Sequence, residues 1–173
     1  MALIILVSVM VDITGISSVI AASSVVIGVI YYIFQLRHQS RVRNTDLVLR
    51  LYSTFGSEEF QQAALKVGLL DYTNYDDFIK KYGLLYSGEP VHMAITKVMY
   101  FFEGVGILLQ RKLIDIQLVA QLFGPNIRWQ WDRIKPLIES LRKQLNAPNM
   151  SKSFEYLYNE MKKREQKLQQ SKG

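Results

Sequence analysis

The feature that most constrains this chain is residues 13–36, a run of 24 residues without a charged side chain. Asp12 precedes the run and Arg37 follows it. A helix rises ~1.5 Å per residue, so about 20 apolar residues cross the hydrocarbon core of a bilayer. The run therefore predicts one transmembrane helix over residues 14–36.

The segment before the run, residues 1–13, is apolar but too short to cross a bilayer by itself. It lacks the basic residues that begin a signal peptide, and the apolar run continues well past Ala21-Ala22-Ser23. We therefore expect a retained anchor. Its first residues are predicted either to turn near Thr14 and Gly15 as a short interfacial segment or to extend the helix as a frayed end.

Positive charge collects directly after the predicted span. This juxtamembrane basic patch consists of Arg37, Arg41, Arg43 and Arg50. No Lys or Arg precedes the span, so the positive-inside rule predicts a single-pass protein of the cell membrane with its N-terminus outside and its C-terminal domain in the cytoplasm. The patch could also hold anionic lipid headgroups, each basic residue contributing about 1 kcal/mol, although the topology signal alone explains it.

The rest of the chain shows helical periodicity and no convincing alternation of the kind that strands have. The first helix is predicted to continue over residues 37–56, followed by a helical domain over 57–147 and a basic helix with a frayed tail over 148–173. We expect an all-α fold with a cytosolic bundle of about five to six helices. The predicted helices of the domain and tail are 57–70, 74–82, 91–112, Asp115 to Gly124-Pro125, 126–145 with a kink or division at Pro136, and 151–167.

A stripe of mostly small residues follows one face of the predicted span. Its members, at alternating spacings of three and four, are Thr14, Ser17, Ala21, Ser24, Gly28, Tyr31 and Gln35. This seven-residue repeat places them on one helix face, and small residues let two helices approach closely in lipid. Because the chain has one predicted span, the partner of this face is expected to be another copy, which gives a homo-oligomer.

The same face has a second interpretation as the lining of a small homo-oligomeric ion channel. Thr14, Ser17, Ser24 and Gln35 would then be the wetted positions of the pore. The face carries no ring of charge, and its smallest members suit close packing better. Packing between helices is therefore the favoured interpretation.

The sequence contains no recognisable catalytic, cofactor-binding or metal-binding constellation. It has no cysteine, and its two histidines, His38 and His92, lie far apart in the chain. The basic tail alternates lysines with glutamates, which is typical of a solvated helix face. We expect neither an enzyme nor a nucleic-acid-binding protein, because no reader motif accompanies the charge.

Glu103 lies within the apolar stretch 98–109. An unpaired carboxylate in such surroundings is costly, so Glu103 is predicted to form a structural ion pair, for which Arg128, Arg133 and Arg142 are candidates. A catalytic acid with a raised pKa is the less favoured alternative.

The middle of the chain resembles a known family. The matching residues are Phe101-Phe102-Glu103, Gly106, Leu113-Ile114-Asp115, Phe123-Gly124, Trp131, Ile138 and Arg142. The resemblance is to a prokaryotic family of small proteins with an N-terminal anchor and a helical cytosolic domain of unknown function, and it covers residues 46–142. Lys112-Leu113 stands where that family usually has a glycine before the Ile-Asp pair. The resemblance implies the same fold and topology, supplies no activity, and favours Arg142 as the partner of Glu103.

These observations predict a single-span, membrane-anchored helical protein of unknown biochemical role. The favoured function is a self-associating interaction or assembly module at the cytoplasmic face, with the lipid bilayer and other copies of the chain as partners. The alternatives are the pore and, more weakly, an enzyme that uses Glu103.

Overall fold

A computed structural model describes the backbone of residues 2–84 and 88–170, and the side chains of 23–39, 44–84 and 88–170. Every regular element in this part of the chain is a helix, which confirms the predicted all-α class. The chain divides into two compact units, Met1–Asp46 and Leu47–Gly173. The helices are α1 (Ala2–Phe55), α2 (Glu58–Gly68), α3 (Tyr75–Tyr82), α4 (Pro90–Gln110), α5 (Ile116–Gln144) and α6 (Lys152–Gln170).

The first helix, α1, is continuous over its whole length and ends at Phe55, as the sequence predicts. It passes through Thr14 and Gly15, so the predicted turn there is wrong and the alternative of a helical extension is the one observed. Ser57 begins the next helix, because its hydroxyl accepts the backbone N–H of Phe60 at 3.3 Å. Residues 171–173 of the predicted frayed tail lie outside the described residues.

Helix α4 forms the centre of the second unit and packs against α2, α5 and α6. Its inward side chains Val98, Phe102 and Val105 are fully buried. Apolar burial stabilises a fold by about 25 cal/mol per Å², so this face of α4 accounts for much of the stability of the bundle. The core residues contributed by its neighbours include Phe60, Val67, Phe123, Ile127, Ile134, Phe154 and Leu157.

Aromatic rings connect α4 to the helices on either side of it. The rings of Phe60 and Phe101 lie 4.5 Å apart between α2 and α4. Phe102 stacks on Phe154 of α6 at 5.0 Å, and Trp131 of α5 meets Phe154 edge-on at 4.9 Å. Stacked and edge-to-face rings add about 0.5–1.5 kcal/mol per pair beyond their buried area. The aromatic residues therefore hold four helices in one core.

Helix α5 departs from the prediction. The predicted end at Gly124-Pro125 is wrong, and the helix is not divided at Pro136, since one helix covers both prolines. A proline within a helix removes a hydrogen bond and costs about 3 kcal/mol. That cost is exceeded by burial, at about 1.5–3 kcal/mol for each large apolar side chain. The buried apolar residues of α5 are Val119, Phe123, Ile127, Trp131, Ile134, Leu137, Ile138 and Leu141.

The short helix α3 is attached to α5 by Tyr72, whose hydroxyl donates to the backbone carbonyl of Arg133. Burial raises the pKa of Tyr72 to about 12, so the hydroxyl stays protonated as a donor. Asn74 begins α3 by accepting the backbone N–H of Asp77 at 2.9 Å. Gly83 ends the helix with φ of 81°, a conformation that favours glycine.

Two glycines of α4 occupy contrasting surroundings. A Cβ at Gly106 would lie 2.1 Å from the backbone carbonyl oxygen of Ser153, so α6 approaches α4 more closely there than any side chain permits. A Cβ at Gly104 would meet no atom within 4 Å. Glycine is therefore required by packing at position 106 but not at position 104.

This contrast predicts opposite effects of alanine at the two positions. Gly104→Ala is expected to raise the free energy of unfolding by up to about 1 kcal/mol, because alanine favours the helix. Gly106→Ala is expected to lower it by about 1–3 kcal/mol, because the methyl group forces α4 and α6 apart. Both tryptophans lie in α5, so urea denaturation followed by tryptophan fluorescence measures this unit. Equal effects of the two substitutions would contradict the packing described for Gly106.

Candidate functional site

The half-buried carboxylate of Glu103 joins α4 to the start of α6. Oε1 accepts the backbone N–H of Ser153 at 3.1 Å, and Oε2 accepts the backbone N–H of Phe154 at 2.8 Å. These are the second and third residues of α6, whose N–H groups have no partner within the helix. Glu103 therefore caps the N-terminus of α6 from a different helix, a role that the N-cap residue of the same helix usually has.

Arg142 does not pair with Glu103, so the predicted ion pair is wrong. The Nε and Nη2 atoms of Arg142 donate to the carbonyl oxygen of Met150 at 2.9 and 2.7 Å. Nη2 also donates to Oε2 of Glu155 at 3.0 Å. The physical reason is that Glu155 of α6 and the carbonyl group of Met150, in the loop before α6, lie beside Arg142. The N–H groups at the start of α6 donate hydrogen bonds to Glu103 instead.

Glu155 lies where two cations converge. Burial of its carboxyl opposes ionisation, but hydrogen bonds from Lys152 and Arg142 outweigh burial and hold the pKa of Glu155 below its usual value. A carboxyl whose pKa is lower in the folded state stabilises that state above the pKa of the unfolded chain, about 4.3 for glutamate. The stabilisation is lost as the pH falls through the folded-state pKa.

The sign of this shift predicts how Glu155→Gln behaves with pH. At pH 7 the substitution is expected to lower the free energy of unfolding by about 1–2 kcal/mol, since it removes charge-assisted hydrogen bonds to Arg142 and Lys152. The difference from the wild type should shrink as the pH falls from about 4.3, where the unfolded carboxyl takes up a proton, through the lower pKa at which the folded carboxyl becomes neutral. Urea titrations at a series of pH values measure it, and a constant difference across that range would contradict the assignment.

Glu103 provides a second prediction. Glu103→Gln is expected to lower the free energy of unfolding by about 2 kcal/mol, because one of the two N–H groups loses its acceptor and the negative charge leaves the positive end of α6. The matched control is Glu139→Gln, an exposed carboxylate 3.7 Å from Lys135, where less than about 0.5 kcal/mol is expected. Equal losses in the two variants would show that the contacts of Glu103 do not stabilise the fold.

The predicted stripe and the basic patch both lie on α1. Within the stripe, Ser24, Gly28, Tyr31 and Gln35 are exposed. Arg37 and Arg50 of the basic patch are exposed as well. The side chains of the remaining members of both sets, Thr14, Ser17, Ala21, Arg41 and Arg43, lie outside the described residues.

Sequence reasoning missed a groove of about 760 Å³ between α5 and α6. Gly124 and Met161 line its apolar part, and an ion pair between Arg128 and Glu165 joins its two walls. Trp129 also lines it and is 40% exposed. The periodicity of either helix gives no signal for such a groove, because its width depends on how far the two helices diverge.

Among the described side chains, histidines, aspartates and glutamates form no cluster that could hold a metal ion. His92 is buried in α4 with its ring 6.0 Å from that of Phe78. His38 lies on α1 and is exposed.

One helix among residues 23–39, 44–84 and 88–170 is long and apolar enough to cross a membrane, and it is α4. It lies centrally in the chain, whereas the sequence predicts an N-terminal span. Of its most apolar window, 44% is buried within the structure. The core helix of a globular domain has the same length and composition, so α4 is only a weak indication of a membrane protein.

The fold is that of an all-helical domain built around a buried central helix. The chain belongs to the family described as "Domain of unknown function (DUF4760)", whose model matches residues 19–161. The resemblance to a family of unknown function is thereby confirmed, and the match extends beyond the predicted 46–142 at both ends. Comparison with curated proteins and with solved structures gives no significant match.

Proposed function

We propose that this protein is a membrane-anchored interaction or assembly module that associates with copies of itself through α1 and carries no chemistry of its own. The span is residues 14–36 of a single-pass protein in the cell membrane, with the N-terminus outside and the helical domain at the cytoplasmic face. The observation that supports this proposal most is the uncharged, apolar run over residues 13–36 of the continuous helix α1, which is exposed over residues 23–36, where its side chains are described.

The described part of that surface is extensive. Val25 and Ile27 are each 66% exposed, Phe34 is 65% exposed and Tyr31 is 69% exposed. Exposed apolar area costs about 25 cal/mol per Å² in water, and large contiguous apolar patches are characteristic of protein or membrane contacts. Lipid or another chain is the environment in which such a helix is stable.

Helix α4 also has the length of a span, but it is poorly suited to be the anchor. Its residues Val98, Phe102 and Val105 are fully buried against neighbouring helices, and Glu103 holds α6. Moving α4 into a bilayer would expose the core of the domain. We therefore assign the anchor to α1, and we assign contacts with anionic headgroups to the basic patch that follows it, at about 1 kcal/mol per residue.

Self-association is assigned to the stripe on α1. A Cβ at Gly28 would meet no atom within 4 Å, which leaves space for a second helix to approach the backbone. Small residues at such positions permit close packing between helices in lipid, and hydroxyl groups such as that of Ser24 form hydrogen bonds in these contacts.

Substitution of Gly28 tests the contact surface. Gly28→Ile is expected to dissociate the oligomer, because a branched side chain keeps the two helices apart. Val26→Ile is the matched control, since it adds bulk to the opposite face of the same helix, and it should leave the oligomer intact. Single-molecule photobleaching of the labelled chain in lipid nanodiscs counts the copies, and a wild-type monomer there would contradict the proposal.

A pore is the competing function, and the exposed polar residues Ser24 and Gln35 within the uncharged run 13–36 favour it. Purified protein in liposomes distinguishes the two. A packing interface predicts no ion flux, whereas a pore predicts flux that Ser24→Leu abolishes.

A further inference from the structure

The outward face of α4 carries a row of apolar residues that stay exposed to solvent among the described residues of the domain. Met93 is 65% exposed, Tyr100 63% and Ile107 45%, at intervals of seven residues. The opposite face of the same helix supplies Val98, Phe102 and Val105 to the core. A seven-residue spacing keeps side chains on one seam when two helices pack along their length.

Between these residues, the seam lets another helix approach. Gly104 lies between Tyr100 and Ile107, and a Cβ there would meet no atom within 4 Å. Lys97 lies between Met93 and Tyr100, with its Nζ atom 3.1 Å from Oε2 of Glu59. The Glu59 carboxylate of α2 offsets part of this charge, which reduces the repulsion of a second helix that carries the same residue.

The seam is also self-complementary in an antiparallel sense. Met93 and Ile107 lie seven residues before and after Tyr100, and Glu89 and Arg111 lie eleven residues before and after it. Glu89 and Arg111 are both exposed, and the Glu89 side chain makes no capping hydrogen bond. When two such helices cross antiparallel at Tyr100, each apolar residue faces the other apolar residue and each glutamate faces an arginine.

A parallel pair would have the opposite electrostatics. It would place Glu89 beside Glu89 and Arg111 beside Arg111, and like charges in contact are destabilising. A two-fold interface uses the same patch on both copies, which is the condition that the antiparallel arrangement meets. Charge complementarity therefore favours a second copy of α4 as the partner and favours the antiparallel arrangement over the parallel one.

We propose that the face of α4 formed by Glu89, Met93, Tyr100, Gly104, Ile107 and Arg111 docks a second copy of this chain, with the two α4 helices antiparallel and crossing at Tyr100. This contact uses residues other than the stripe on α1, and it rests on the proposed function only through the membrane anchor that holds two copies close together. One helix pair buries less than the ~1,200–2,000 Å² of a stable interface, so the contact is weak in solution. Tethering two copies in one bilayer raises their effective concentration and favours it.

Cysteine crosslinking of the full chain in liposomes tests the geometry directly, because the natural sequence contains no cysteine. Tyr100→Cys is expected to form covalent dimers on oxidation or with a short bis-maleimide. Chains with Met93→Cys and chains with Ile107→Cys should crosslink when mixed. Neither should crosslink alone, because identical positions lie 14 residues, or about 21 Å, apart along an antiparallel pair, beyond the reach of about 7 Å for a disulfide.

The control for exposure is Leu69→Cys, directly after the end of α2, at a side chain that is 69% exposed and should not crosslink. Charge reversal adds an energetic test: Glu89→Arg should reduce the Tyr100→Cys dimer, and Glu89→Arg combined with Arg111→Glu should restore it. Dimers from Met93→Cys alone, or a Tyr100→Cys yield no greater than that of Leu69→Cys, would overturn the proposal. If a chain with both Tyr100→Cys and Gly28→Ile still forms the crosslinked dimer, the α4 contact is present even when association through α1 is lost.

Discussion

The arrangement of the helical domain depends on the contact between α4 and the beginning of α6. Glu103 accepts the free N–H groups of Ser153 and Phe154, and Gly106, one turn further along α4, lets the α6 backbone come close enough for those bonds to form. Without the close approach, Glu103 would have an unsatisfied charge and α6 would have unsatisfied N–H groups, both of which are costly away from water. The stacking of Phe102 on Phe154 follows from the same contact.

Tertiary burial also decides where helices end. Pro125 and Pro136 are local signals for ending or dividing a helix, and yet α5 contains both. The apolar residues on either side of each proline belong to one continuous buried face, and the free energy of burying that face exceeds the cost of the lost hydrogen bonds. Short-range signals succeeded where no such competition exists, as at Ser57, Asn74 and Asp115, each of which begins a helix.

Among the described residues, the first unit and the helical domain each have an exposed apolar surface, and the two surfaces differ in charge. The exposed stretch of α1 over residues 23–36 is uncharged, which suits lipid and a close helix partner. The outward face of α4 has exposed apolar residues along its length and opposite charges at its two ends, Glu89 and Arg111, which is the basis for the proposed contact with a second copy. The proposed membrane anchor and the proposed contact between two α4 helices would reinforce each other, because each holds the partners of the other close together.

The sequence by itself determined the all-α class, most helix boundaries and the uncharged run of α1, because these depend on periodicity, capping residues and composition along a single element. It also identified Glu103 as a carboxylate that needs a partner. Only the tertiary structure decided which partner, since the amides of Ser153 and Phe154 lie 50 residues or more away in the chain. The groove between α5 and α6 and the exposed outward face of α4 could not be predicted from the sequence either. Which face of an apolar helix is buried depends on how the neighbouring helices pack against it, and not on its own residues alone.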